Sequence, residues 1–239
     1  MLRYDYEIKL ISECEAGSGF GSELVNSLLP RNSDGNIIIP ASHIKGLMRS
    51  VFEDMGGCLF PDKKEPATNL VFGGGASETG ECAESGFRIS DAIYVNNETS
   101  KKDSFLITRT TIDEFGRAQE HSLRTTEALG AGAVLKGEII INADKDSLID
   151  IAVRFSMLSI MTIGGNRNRG SGACVIQLAG SELGPGALLK LFLTKLSVES
   201  LKSNPIKQNN AIQIKDGDKV VFIKLNFESN GKICCPEIP

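Results

Sequence analysis

The sequence predicts an α+β fold in which two β-α-β units share one sheet. Three observations point to it. Four well-separated segments have the length and apolar content of core strands. Two others repeat their apolar residues with the 3.6-residue period of a helix, each set between strand segments. Long polar excursions separate these elements, as insertions between core elements do.

The elements follow in order. Residues 4–14 (Tyr-Asp-Tyr-Glu-Ile-Lys-Leu-Ile-Ser-Glu-Cys) alternate roughly between apolar and polar, as a half-buried strand does. After Gly17, Gly19 and Gly21 comes an irregular stretch. Asp34-Gly35 then marks a hairpin turn between Leu28-Leu29 and Ile37-Ile38-Ile39. Pro40 stops that strand, and Ser42 is placed to cap a helix running to about Asp54, with Gly56-Gly57 as its stop. Ile44, Leu47, Met48, Val51 and Phe52 share one face of it.

Residues 57–85 read as an insertion rich in Gly, Pro, Ser and charge, and 87–95 as the second core strand. The excursion 97–132 is too long for an ordinary loop and is expected to be functional. Residues 134–143 form the third strand. Leu148, Ile151, Ala152, Phe155 and Leu158 mark a second amphipathic helix closed by Gly164-Gly165, and 173–178 form the fourth strand. The order β-α-β, excursion, β-α-β is that of a ferredoxin-like βαββαβ core. A helix is expected near 187–199 and a hairpin turning at Asp216-Gly217. With no repeat and no low-complexity linker, one domain over 1–239 is the economical reading: a core over about 4–180 and an extension over 181–239.

Composition narrows the function. With 41% hydrophobic and 23% charged residues, the 239-residue chain can bury a core. The start lacks a signal-like apolar run, and the most apolar stretch, Leu148 to Ile163, is too short and too charged to span a bilayer. A cytoplasmic protein without membrane contact is expected. Six cysteines without a CxxC pair, and two histidines, suggest reduced thiols and no metal or cofactor set. The net charge of −4 argues against a simple electrostatic nucleic-acid binder. Any grip on RNA then needs a local basic surface.

Three constellations offer one. Ser42, Lys45 and Arg49 are spaced by three and four, so they share a stripe opposite the apolar face. A hydroxyl and two cations near a helix N-terminus suit phosphate, although a capped helix with a solvated basic face is the plainer reading. In Gly164-Gly165-Asn166-Arg167-Asn168-Arg169-Gly170-Ser171-Gly172, four positions free of side chains admit a backbone, and two guanidinium groups can grip it. No GK[ST] follows, so this is not a P-loop; its plainer reading is a flexible turn. Thr108 to Ala118 carries a turn near Glu114-Phe115-Gly116-Arg117 that would project a finger. Ile112 or Phe115 could wedge between bases, or the hairpin could simply pack on its own domain.

Taken in order, these segments resemble the RAMP superfamily. Ile39-Pro40-Ala41-Ser42-His43-Ile44-Lys45-Gly46, followed by Arg49-Ser50, is similar to its "IPGSSLKG…RS" signature. Leu70-Val71-Phe72-Gly73 resembles its "LFG" segment. Arg109 to Ala118, with Leu123 to Glu127 and Gly132, resembles its thumb, and Gly164 to Gly172 its glycine-rich loop. The match spans roughly residues 4–180 and is nearest to the repeated backbone subunits of type III CRISPR effectors (Csm/Cmr-like).

The resemblance implies a ferredoxin-like (RRM-like) core with a thumb-like hairpin inserted over about 97–132. It also implies a guide-RNA-binding subunit in a stacked, filament-like assembly with other effector subunits, crRNA and target RNA. Ser42, His43, Lys45, Gly46 and Arg49 would then hold guide phosphates, with Gly165, Asn166, Arg167, Arg169 and Gly170 beside them. Arg109, Ile112, Phe115 and Arg117 would form the thumb that presses on the guide–target duplex.

Cutting relatives carry a loop aspartate, whose place falls here near Val25-Asn26. Asn26 cannot act as a metal ligand or a base, and Glu23 and Asp34 are the nearest acids. A subunit that binds RNA without cutting it is therefore expected. The alternatives are a target-cleaving endoribonuclease of the same complex, a guide-processing RAMP endoribonuclease using His43 and His121, and an end-capping structural subunit. A nucleotide-using enzyme rests only on Gly17-Ser18-Gly19-Phe20-Gly21, where Ser22 breaks the pattern.

Overall fold

The computed structural model describes residues 1–59, 68–69, 71–74, 84–95 and 104–203, with the side chains of 56–59 and 196–203 excepted. Among the described residues, eight strands and three long helices follow in the order β1 (Leu2–Leu10), β2 (Ile38–Ile39), α1 (Ala41–Leu59), β3 (Phe87–Ile89), β4 (Ala92–Val95), β5 (Ser104–Arg109), β6 (Arg124–Leu129), β7 (Val134–Ile141), α2 (Leu148–Leu158), β8 (Cys174–Leu178) and α3 (Pro185–Ser203).

The main sheet runs β2-β4-β7-β1-β8, with β3 also on β7, and every pairing is antiparallel. Counting β3 and β4 as one interrupted strand, the core strands lie in the order second, third, first, fourth. This is the order of the split β-α-β arrangement, so the ferredoxin-like expectation holds. The chain separates into two units, Met1–Val198 and Glu199–Pro239; the main sheet belongs to the first. The hairpin expected at Asp216-Gly217 and most of the insertion expected at 57–85 lie outside the described residues.

Alternation decides which face of the sheet is dry. Tyr4, Tyr6, Ile8 and Leu10 of β1 and Leu135, Ile139 and Ile141 of β7 are buried with Ile44, Met48 and Phe52 of α1 and Ile151 and Met157 of α2. The opposite face carries Arg3, Asp5, Lys9 and Lys136, all exposed, with Glu7 and Glu138 half-buried. Each fully buried large side chain contributes about 2 kcal/mol of transfer free energy, so reversing the register of β1 would be prohibitive.

Several boundaries differ from expectation: β1 runs over Leu2–Leu10 instead of 4–14, α2 ends at Leu158, capped at Ser159, well before Gly164-Gly165, and α1 and the second core strand differ as follows. The strand expected over 87–95 is broken at Ser90-Asp91. There Tyr6 Oη donates to the Ser90 carbonyl (2.9 Å), and the Ser90 Oγ accepts from Glu138 N–H (2.9 Å). The break aims the Asp91 carboxylate at the first amide of α1, accepting from Ala41 N–H at 2.7 Å. Asp91, from the break between β3 and β4, thus caps the helix instead of Ser42, which sits inside the first turn. At the other end Gly56-Gly57 does not stop α1, which continues to Leu59.

Candidate nucleic-acid interface

Residues 11–37, the β5–β6 hairpin and the glycine-rich loop meet around two buried carboxylates. Glu15, 6% exposed, accepts from Arg109 Nη1 (2.7 Å), Thr126 Oγ1 (2.7 Å) and Asn166 Nδ2 (3.1 Å) on Oε2, and from Ser171 Oγ (3.4 Å) on Oε1. Burial pushes its carboxyl up, but the hydrogen bonds from Arg109, Thr126 and Asn166 outweigh that and hold it below the usual range. Glu127, 8% exposed, takes a two-pronged bond from Arg31 (2.6 and 3.0 Å), with Leu29 N–H and Ser104 Oγ completing its shell. The Arg31 guanidinium is the main reason its pKa falls to about 2, against the opposing effect of burial.

The glycine-rich loop runs close to this base. Gly164 (φ 81°) lies so near the chain at Glu15 that a Cβ there would come within 2.8 Å of the Glu15 carbonyl. Gly172 (φ 77°) likewise leaves no room for a Cβ beside the Ile163 carbonyl. The backbone of residues 163–172 is thereby drawn in: Gly165 N–H donates to Glu15 O and Gly172 N–H to Glu13 O, each at 2.7 Å. Between them Asn166 takes a left-handed φ of 54°, and Arg167–Arg169 make one 3₁₀ turn that stands out with both guanidinium groups exposed. Among the described residues neither arginine has a carboxylate partner.

Helix α1 adjoins this loop through His43, whose Nε2 accepts from Gly164 N–H at 3.1 Å. Burial, helped by the charge of Arg167, lowers the His43 pKa, which favours the neutral ring that such an acceptor requires. Along the outside of α1, Ser42, Gly46 and Ser50 form an exposed line at four-residue spacing. A Cβ at Gly46 would meet nothing among the described residues, so packing does not ask for glycine there. Lys45 lies beside this line with its Nζ 5.2 Å from the Phe87 ring centroid, and burial lowers its pKa. Arg49 bonds Glu53 (2.9 Å), the Gly73 carbonyl (3.3 Å) and Asn69 Oδ1 (3.4 Å).

The hairpin expected over 97–132 pairs β5 with β6, from Ser104↔Leu129 to Arg109↔Arg124. Its tip turns at Asp113–Gly116, where Asp113 Oδ1 accepts from Phe115 N–H (3.0 Å) and Arg117 N–H (2.8 Å) and Gly116 takes φ 78°. Ile112 (64% exposed) and Phe115 (76%) stand in solvent with Arg117. They do not pack on their own domain. Asn26 fastens the base, its Oδ1 accepting from Thr125 N–H and its own N–H donating to Thr125 O, both 2.8 Å.

The structure therefore gathers His43, Gly165, Asn166, Arg167 and Arg109 around the Glu15 hub. Gly170, with φ 86°, closes the exposed turn that bears Arg169. Ser42 and Gly46 lie on the adjoining helix line, Arg49 is turned onto residues 69–73, and Ile112, Phe115 and Arg117 crown the hairpin. The sequence reading missed Glu15, Glu127 and Asp91. Glu15 and Asp91 are single acids in irregular or interrupted backbone, and Glu127 is a buried acid inside β6; none has a period or spacing that shows its partners.

A family model described as the RAMP superfamily matches residues 7–175. The chain belongs to the RAMP superfamily. No curated protein matches it. Among solved structures, this RAMP chain is similar to one in the apo state of a type III-B Cmr-beta complex, with TM-score 0.58 and 14% identity over 76% of this chain and 99% of that one. A chain of a type IV-B CRISPR complex gives TM-score 0.56 and 18% identity over 76% and 92%. A chain of the Cmr-beta complex bound to cognate target RNA gives 0.55 and 14% over 74% and 97%. At such identities the likeness is one of fold. Among the described residues no cluster of His, Cys, Asp or Glu could hold a metal ion, and no helix is long and apolar enough to cross a membrane.

Proposed function

We propose that this RAMP chain is a guide-RNA-binding backbone subunit of a CRISPR RNA-guided effector complex, organising a guide–target duplex without cutting it. The observation that carries the reading is the joint between α1 and the glycine-rich loop at His43–Gly164. It sets the small-residue line Ser42-Gly46-Ser50 beside the exposed Arg167–Arg169 turn. A phosphodiester backbone can lie close against such a line, while the planar guanidinium groups of the neighbouring turn meet its charge. This local surface answers the objection raised by a net charge of −4.

The open face of the sheet is a poor competitor. RNA-recognition sheets stack bases on aromatic side chains of the central strands. Here the outward positions of β1 and β7 carry Asp5, Glu7, Lys136 and Glu138, with ion pairs Arg3–Glu138 (2.5 Å) and Lys136–Glu7 (3.2 Å). The exposed hairpin tip, with Ile112 and Phe115, suits a wedge against stacked bases. Asn26, near the place where cutting relatives carry an aspartate, has its amide oxygen engaged by Thr125. Stacking against neighbouring subunits belongs to the same proposal and draws support from the effector complexes whose chains share the fold.

Purification with the co-expressed operon, followed by sequencing of bound RNA, tests the reading. Repeat-derived guides are expected, with complementary RNA left intact at this subunit. An assembled complex holding no RNA through this subunit would sink the guide-binding claim. Cutting abolished by Glu23→Gln or Asp34→Asn would sink the non-cutting one.

A further inference from the structure

We propose that Glu15 is a positioning residue: it fixes the β5–β6 hairpin against the glycine-rich loop and so sets where the hairpin tip meets bound RNA. The proposal rests on the guide-binding reading above and adds to it the group that holds its two contact regions in register.

The case is one of connectivity. Among the described residues, the hairpin's other hydrogen-bonded fastenings reach residues 11–37: Leu129 pairs with Cys14, Thr125 with Asn26, and Glu127 with Arg31 and Leu29. The glycine-rich loop is held by the backbone at Glu13 and Glu15, by His43, and by Ser12, whose Oγ donates to the Gly170 carbonyl at 2.7 Å. Among the described residues, the hydrogen bonds joining hairpin to loop pass through the Glu15 carboxylate. On one side it takes Arg109 of β5 and Thr126 of β6, on the other Asn166 and Ser171. Four donors converge on an acceptor-only group that is almost fully buried, so no water can readily take its place.

Leverage makes this matter. From Arg109 to Asp113, where the turn begins, the hairpin extends roughly 13 Å at the rise of a β-strand. A ~15° change at the base therefore moves the tip about 3 Å, close to the ~3.4 Å spacing of stacked bases.

The test uses the full chain, free and in its assembled complex, with spin labels on unnatural amino acids at Glu114 and Asn168. Neither residue takes part in the Glu15 shell. Glu15→Gln keeps the shape but removes the negative charge that Arg109 pairs with, its new amide NH2 taking the Oε1 place opposite the Ser171 hydroxyl. The label distance is expected to shift or broaden by about 3 Å, with guide affinity within about threefold of the parent. A photo-crosslinker at Phe115 should then lose its single RNA contact site. Thr126→Val removes one fastening on the hairpin side and should give a smaller change of the same kind, which covers the case in which Glu15→Gln does not fold. Glu127→Gln is the control. It weakens the bonds from β6 to Leu29 and Arg31 but leaves Arg109 and Thr126 fixed on Glu15, so it should lower Tm while the hairpin keeps its angle to the loop and the label distance stays unchanged.

Unchanged distances in the Glu15 and Thr126 variants overturn the proposal, as does an equal shift in the Glu127 variant. Distances in the free protein do not depend on RNA. A parent complex without guide would therefore count against the guide-binding reading, separately from the positioning role.

Discussion

Gly46 offers a perturbation in which stability and function should move in opposite directions. It sits inside α1, exposed, and a Cβ there would meet nothing among the described residues. Glycine inside a helix costs about 1 kcal/mol relative to alanine, because the unfolded chain is freer and no side chain shields the backbone. Gly46→Ala should therefore stabilise the free protein by about 1 kcal/mol, raising Tm by roughly 3 °C for a domain of this size. Gly46→Leu should do nearly the same, since leucine is almost as good a helix former. If a phosphate backbone lies against the Ser42-Gly46-Ser50 line, the added side chain pushes it outward. The loss of about two close phosphate contacts, each worth roughly 1 kcal/mol or more when charge-assisted, lowers affinity at least tenfold. Thermal melts of the free chain and anisotropy titrations with single-stranded RNA at fixed salt read the two effects separately. Variants that melt higher and bind RNA as the parent does would refute close approach at this line.

Three further outcomes follow from the same geometry. Arg167→Ala with Arg169→Ala should weaken binding to RNA of any sequence and reduce the slope of log affinity against log salt by about 1.4, as for two lost phosphate contacts on a single strand. Glu127, held at about 2 in the fold against an ordinary 4.5, contributes stability that is complete above pH 4.5 and lost as pH falls toward 2. Discounting for the 38% exposure of Arg31, that contribution is about 2 kcal/mol, so acid melts of Glu127→Gln should show a smaller loss of Tm than the parent between pH 4.5 and 2. Asn26→Ala should cost about 1 kcal/mol, seen as a Tm lower by a few degrees, because the Thr125 amide loses its acceptor.

The fold was legible in the sequence because burial imposes periods. Tyr4, Tyr6, Ile8 and Leu10 alternate, and Ile44, Met48 and Phe52 recur every four residues, so strands and helices announce themselves. Turns were legible where backbone sterics demand glycine, as at Gly35, Gly116 and Gly164 with their positive φ. Long-range polar choices were not. Nothing near Ser42 signals that the α1 cap comes from Asp91, fifty residues on. Nothing around Glu15 shows that its partners are Arg109, Thr126 and Asn166. Such bonds have no local period; they exist because a buried donor or acceptor must be satisfied by whatever the fold brings near. For the same reason Arg49, read from spacing as a free phosphate ligand, lies bonded to Glu53, Asn69 and Gly73.

The central claim is that RNA lies along α1 and the glycine-rich loop instead of on the open sheet. The most direct measurement places a photo-crosslinking residue singly at Ser50, Asn168, Glu7 or Lys136 in the assembled complex and reads which positions capture RNA. Crosslinks from Ser50 and Asn168, with none from Glu7 or Lys136, are the expected result. RNA captured from Glu7 and Lys136, with none from Ser50 or Asn168, would contradict the account.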